Sequence, residues 1–125
     1  FAVDFAPRVV RELVFLSEQR QNIAPILGNC LHPEEYLDRF CQCNFLFQDI
    51  AQREQVAIFL KHLPFLATGS LALLSVKARS IDVTQKPRVI FARVFEELKK
   101  HITVLDWKTL EPFEEDHALF VCRKD

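Results

Sequence analysis

The sequence predicts an α/β fold: a doubly wound, Rossmann-like sheet, mostly parallel, with helices on both faces. Three observations carry this. Short apolar runs of strand length alternate with amphipathic helical stretches. The two clearest helical stretches begin at prolines, Pro7 and Pro87, which suit a first helical turn. The polar residues that close the apolar runs fall at carboxyl ends of strands, where open α/β sheets bind their ligands.

FAVDF (1–5) alternates weakly and reads as a strand bounded by Pro7. Val10, Leu13, Val14 and Ser17 then recur at i, i+3, i+4, i+7, and Arg8, Arg11, Glu12, Glu18 and Arg20 form a wet side, so 7–20 is a predicted helix. IAPILG (23–28) is a second short strand, closed by Gly28-Asn29, and PEEYLDRF is a short helical stretch. CNFLFQD (43–49) is a third strand; its unbroken apolar run, ended at Gln48-Asp49, predicts a parallel strand buried on both faces. A helix over 52–63 puts Val56, Phe59, Leu60 and Leu63 on one face, and Pro64 ends or kinks it. Gly69 reads as a turn before the fourth strand, SLALLSVK (70–77). The helix over 87–100 turns Phe91, Val94, Phe95 and Leu98 inward. ITVLDWKTLEP (102–112) and HALFVCR (117–123) are the last strands, joined as a hairpin by the acidic turn FEED, so the final strand runs antiparallel to the rest.

At 125 residues the chain is one domain's worth, or part of one. It contains no Met and opens abruptly on a strand, the signs of a segment of a longer chain. Half of the residues are hydrophobic and 26% are charged, which predicts a buried core and not disorder. No apolar run is long enough to span a bilayer and no signal peptide is seen, so no membrane association is expected. A net charge of −1 argues against an unaided grip on nucleic acid; an RNA role needs a local patch or a partner. Without a secretory signal, Cys30, Cys41, Cys43 and Cys122 are expected as reduced thiols of an intracellular protein. The C-x-H and C-x-C spacings around Cys30, His32, Cys41 and Cys43 match zinc pairs poorly, so these cysteines are expected as small buried hydrophobes and no metal is expected.

Asp4, Asn29, Asp49 and Lys77 close four successive strands, and the reversed last strand starts at the same edge with Asp116-His117. Each alone has an ordinary role, as a helix cap, a solvated strand end or a structural histidine. Five on one edge point to a site. Arg8, Arg11, Arg79, Lys86 and Arg88 are candidates for a basic patch beside Lys77.

In order, FAVDFAPRVVREL, NIAPILGN, QDIAQREQ, VKARSIDVTQKP and LEPFEEDHALFV resemble the fibrillarin family over the whole length, with KARSID and DIAQ closer to archaeal members. The resemblance implies a class I S-adenosylmethionine-dependent methyltransferase sheet, here lacking its first strand, Gly-rich loop and amino-terminal β-domain. FAVDF and the third strand then cannot pair directly, and both expose edges. Fibrillarins are the RNA 2′-O-methyltransferases of box C/D guide ribonucleoproteins. The resemblance therefore implies methylation of rRNA, and of tRNA in some members. It implies as partners a guide RNA with its target RNA, a Nop-type scaffold protein, a kink-turn-binding ribosomal-like protein, and the missing amino-terminal part of the same enzyme. The expected location is the cytoplasm for an archaeal protein and the nucleolus for a eukaryotic one. Carried over by motif, Asp49, Lys77 and His117 are catalytic. Asp4 holds the cofactor ribose. Asn29, where the family usually has Asp, lies near the adenine with Cys30, and Asp49 and Gln52 complete the cofactor set. From the candidate basic patch, Arg79, Lys86 and Arg88 are expected as weak RNA contacts. The alternative is a catalytically silent subunit that keeps the fold for assembly.

Overall fold

Both prolines read as helix starts do begin helices: proline lacks an N–H that the first turn would leave unpaired, and its φ is already helical. The computed structural model describes the backbone of residues 1–125 and every side chain except that of Leu37. The elements are β1 (Ala2–Asp4), α1 (Pro7–Gln19), β2 (Pro25–Leu27), β3 (Cys43–Asp49), α2 (Gln55–His62), β4 (Leu66–Lys77), α3 (Ala78–Ile81), α4 (Pro87–Leu98), β5 (Thr103–Thr109) and β6 (His117–Arg123). PEEYLDRF forms two 3-10 turns, Pro33–Glu35 and Leu37–Arg39, and a third at Leu63–Phe65 closes α2 at Pro64. The chain divides into two compact units, Phe1–Cys41 and Gln42–Asp125.

In the first unit β1 and β2 pair in parallel, with Asp4 opposite Leu27, and α1 connects them. Of the stripe expected on α1, Val10 is buried, whereas Val14 is exposed together with Val9, Phe15 and Leu16. Strands lie about 4.8 Å apart, so two of them make too narrow a sheet to cover a 13-residue helix. Tyr36 is 1% exposed. Its ring meets Phe40 edge-on at 5.4 Å, and Phe40 meets Phe1 edge-on at 5.0 Å. Burial, ahead of nearby acidic charges, pushes the Tyr36 phenol up to about 12.

Gly28 lets that ring in. A Cβ at this position would lie 2.5 Å from a Tyr36 ring carbon. Gly28→Ala is therefore expected to destabilise the protein by about 1–3 kcal/mol through overpacking. Urea unfolding of the complete protein checks this, and a loss near zero would show that the ring moves aside freely.

The second unit holds a four-stranded sheet in the order β3-β4-β6-β5, with β3 parallel to β4 and β6 antiparallel to both of its neighbours. One face carries Ala72, Leu74 and Val76 of β4 with Ala118, Phe120 and Cys122 of β6. Phe59 of α2 and Ile90, Phe91, Val94 and Leu98 of α4 join them in one buried cluster. Lys124 fastens the carboxyl end to this sheet, its Nζ donating to the carbonyls of Leu63 (2.8 Å) and Leu66 (2.6 Å).

Several expectations are corrected. The failure of β1 and β3 to pair is not among them: they lie in different sheets, as expected. β3 is not buried on both faces: it is an outer strand paired only to β4, and Phe45 and Phe47 are 51% and 57% exposed. An unbroken apolar run is common to buried and edge strands, so the run alone could not separate them. Gly69 is not a turn before β4. It lies within the strand at φ 82°, a conformation that glycine alone adopts freely, and its N–H bonds the Lys124 carbonyl. Of the four cysteines only Cys122 is buried; Cys41 is exposed and Cys30 and Cys43 are half-buried, because they lie in loops or at a strand start. Among the described residues no His, Cys, Asp and Glu side chains gather as a metal-holding group, and no helix is long and apolar enough to cross a membrane.

Candidate active site

The site in the second unit is built by strand register. Asp49, the last residue of β3, lies opposite Ser75 of β4, and Lys77, the last residue of β4, lies opposite His117, the first of β6. Paired residues share a sheet face, and residues two apart on a strand return to it. Asp49, Ser75, Lys77 and His117 therefore occupy one face at one edge, opposite the α2/α4 core. Ala78 N–H bonds the Asp116 carbonyl at 3.0 Å. That bond makes Lys77 and His117 a non-hydrogen-bonded antiparallel pair, the kind whose side chains stand closest. The sequence-predicted trio thus shares one face at one edge of the sheet.

His117 is held in one tautomer. Its Nδ1 lies 2.7 Å from the Glu115 carbonyl, which only accepts, so Nδ1 carries the proton. Nε2, 3.8 Å from a Glu114 carboxylate oxygen, is left as an acceptor in the neutral ring. The His117 side chain is 14% exposed, which limits competing water.

The turn that follows Lys77 is fastened from two sides. Arg79 Nε donates to Asp116 Oδ2 at 2.8 Å, and its Nη1 reaches the Val83 carbonyl at 3.4 Å. Asp116 takes φ 57°, which turns the chain sharply into β6. The Asp82 carboxylate accepts the Thr84 hydroxyl (2.6 Å), the Thr84 N–H (2.8 Å) and the Gln85 amide (2.9 Å), and the Thr84 bonds above all hold it below the usual carboxylate range. VKARSID is therefore the end of β4, a short helix and a tied loop. Arg79 is engaged within the fold. Lys86 and Arg88 are exposed at the start of α4, and Arg88 borders a groove of about 570 Å³ with Trp107, Lys108 and Thr109.

One residue escaped the sequence reading. Gln55 is fully buried. Its Oε1 accepts the Lys77 N–H at 3.0 Å, and its Nε2 donates to the carbonyls of Lys77 (3.2 Å) and Gln52 (2.8 Å). Gln48, beside Asp49, donates to the Gln55 carbonyl at 2.6 Å. A signal was present: Gln55 lies four residues before Phe59, on the apolar stripe of α2. Gln52 itself is half-buried in the loop before α2.

In the first unit, Asp4 and Asn29 stand at the carboxyl ends of a parallel pair. Asp4 Oδ1 accepts the Ala6 N–H at 2.8 Å, leaving Oδ2 to accept from a ligand. Two carboxylate oxygens suit a vicinal diol. Asn29 Oδ1 accepts the Leu31 N–H at 3.0 Å, so the side chain shapes its own turn and keeps its amide protons and a second lone pair. The Cys30 thiol is pushed up by burial first and also by the charge of Asp4. A carboxylate with one oxygen unengaged beside a partly buried surface is compatible with a sugar hydroxyl.

A family model for fibrillarin matches residues 1–125. The fibrillarin-like rRNA/tRNA 2′-O-methyltransferase of Thermococcus onnurineus is 46% identical over 125 residues, covering 99% of this chain and 55% of that protein. Among solved structures, a chain of a fibrillarin/Nop5p complex superposes with a TM-score of 0.94 at 28% identity, covering 99% of this chain and 60% of that one. Aeropyrum pernix fibrillarin in complex with natively bound S-adenosyl-L-methionine superposes with a TM-score of 0.83 at 39% identity, covering 96% and 53%. The chain spans about half the length of the curated relatives it matches. Its fold is that of the class I methyltransferases. With the family match running over every residue, the chain belongs to the fibrillarin family.

Proposed function

We propose that residues 1–125 are part of the catalytic domain of an S-adenosylmethionine-dependent RNA 2′-O-methyltransferase, directed by a box C/D guide RNA to rRNA and, in some settings, tRNA. The observation that carries this is the sharing of one sheet face by Asp49, Lys77 and His117. When bound, the cofactor supplies a methyl group on a positively charged sulfur. Asp4, Asn29, Cys30, Asp49 and Gln52 are the proposed cofactor residues.

The chemistry explains the residue types. A ribose 2′-hydroxyl is a weak nucleophile, so an in-line displacement needs alignment and support for negative charge growing on that oxygen. Lys77 supplies a cation there. Asp49 orients the ammonium, and His117 Nε2 accepts a hydrogen bond from it or from the sugar. No protein-bound metal takes part in this account.

A Nop-type scaffold is the proposed partner, supported by the likeness to a chain from a fibrillarin/Nop5p complex. A kink-turn-binding protein and the guide RNA would complete the particle. Near-neutral charge suits a subunit delivered by partners, since such a subunit needs little RNA affinity of its own. Lys86 and Arg88 are the proposed RNA contacts. Arg79 serves the same surface by shaping the loop. The particle is intracellular, cytoplasmic in an archaeon and nucleolar in a eukaryote.

A catalytically silent assembly subunit is favoured by one feature, Asn29 in place of the family's usual Asp, which removes charge assistance from an adenine contact. The two readings separate by binding and turnover. The complete protein is expected to bind labelled cofactor and to pass label to guided RNA, with Asp49→Ala lowering both affinity and rate at least tenfold. Particle assembly without cofactor binding would favour the silent subunit.

A further inference from the structure

We propose that Gln55 is a positioning residue for methyl transfer: its side-chain amide sets the backbone of Lys77 and so aims the ammonium. This rests on the function proposed above. β3 ends at Asp49, opposite Ser75. Two residues further along β4, the Lys77 N–H and C=O on that side have no strand to pair with. Buried backbone groups left in that state are costly. The Gln55 amide takes the place of the missing peptide group, accepting from the Lys77 N–H and donating to the Lys77 C=O.

The amide does not float. Gln55 is fully buried, its Nε2 also bonds the Gln52 carbonyl, and its own carbonyl receives Gln48. Gln48 immediately precedes Asp49, and Gln52 is a proposed cofactor residue. The network thus ties the ends of β3 and β4, and the loop between β3 and α2, to one side chain. On its other side Lys77 is framed by the Ala78–Asp116 bond, itself braced by Arg79. A strand end clamped on both sides presents its side chain at a fixed height, whereas a frayed one does not. Displacement of a reacting group by about 1 Å costs on the order of 100-fold in rate.

The test uses Gln55→Met in the complete protein, which keeps the volume and removes the hydrogen bonds. Three quantities are read: hydrogen exchange of the Lys77 amide, cofactor affinity, and the single-turnover rate of methyl transfer to guided RNA at saturating cofactor. Exchange is expected to quicken at least tenfold and the rate at saturating cofactor to fall about 10- to 100-fold, with a smaller fall in affinity through Gln52. The variant is then combined with Lys77→Ala. Because Gln55 acts through the ammonium, the double variant is expected to be no slower than Lys77→Ala alone. Unchanged exchange, or the same further loss of rate without Lys77, would overturn the proposal. If the parent protein transferred no methyl to ribose, the proposed function would fall, and amide exchange would still decide whether the clamp exists. Should Gln55→Met not fold, Gln48→Leu loosens the same amide from behind and is put through the same cycle.

Discussion

Lys77→Ala in the complete protein is expected to slow methyl transfer by at least about 100- to 1,000-fold while leaving cofactor affinity within about twofold. The size follows from the role. A cation that meets charge appearing only in the transition state contributes to rate and not to binding of the cofactor. The selectivity follows from the place: Lys77 ends β4 beside His117, whereas the residues proposed to hold the cofactor lie on other strands and loops. Lys77→Arg is not expected to restore the rate, because a planar fork cannot occupy the position of a compact ammonium. Single-turnover kinetics and calorimetric binding on the same preparation check both halves. Equal losses in the two would mean that Lys77 holds the cofactor.

Phe120→Ala is expected to give the largest stability loss, about 3–5 kcal/mol. Phe120 is fully buried at the centre of β6, between β4 and β5, within the cluster closed by α2 and α4. It also stacks on Trp107 with ring centroids 5.5 Å apart and planes 10° from parallel, a contact worth about 0.5–1.5 kcal/mol beyond area. The strand residues beside it cannot collapse into the gap without breaking the ladder. Phe120→Leu keeps much of the volume and is expected to cost clearly less. Equilibrium urea unfolding of the complete protein measures both, and a loss below about 1 kcal/mol for Phe120→Ala would show that the sheet repacks.

The site was legible where it depends on strand ends. Asp49, Lys77 and His117 each close or open an apolar run of strand length, so their shared edge follows from the order of the strands. What the pattern could not carry is pairing across distance. Arg79 looked like an available cation, but its partner Asp116 is 37 residues away. Gln55 drew no notice as a polar residue on the apolar stripe of α2, because its partner, the Lys77 peptide, is set by where β3 stops. The start of α2 was misplaced for a related reason. The Gln52 carbonyl bonds the Gln55 side chain, and the helical ladder begins one turn later, with Ile58 N–H to the Glu54 carbonyl. The cysteines show the limit of composition: a residue type that is usually buried says little about a loop.

The most direct test is where the methyl group goes. The complete protein, assembled with guide RNA, scaffold and kink-turn-binding protein, is supplied with S-adenosylmethionine labelled on the methyl group and a complementary target RNA. The product is then hydrolysed with alkali. A 2′-O-methyl blocks cleavage at its own nucleotide, so the account predicts label in one alkali-resistant dinucleotide at the guided position, appearing at least about 100-fold more slowly with Lys77→Ala. Label recovered on a base, or no label at all in an assembly that binds the cofactor, would contradict it.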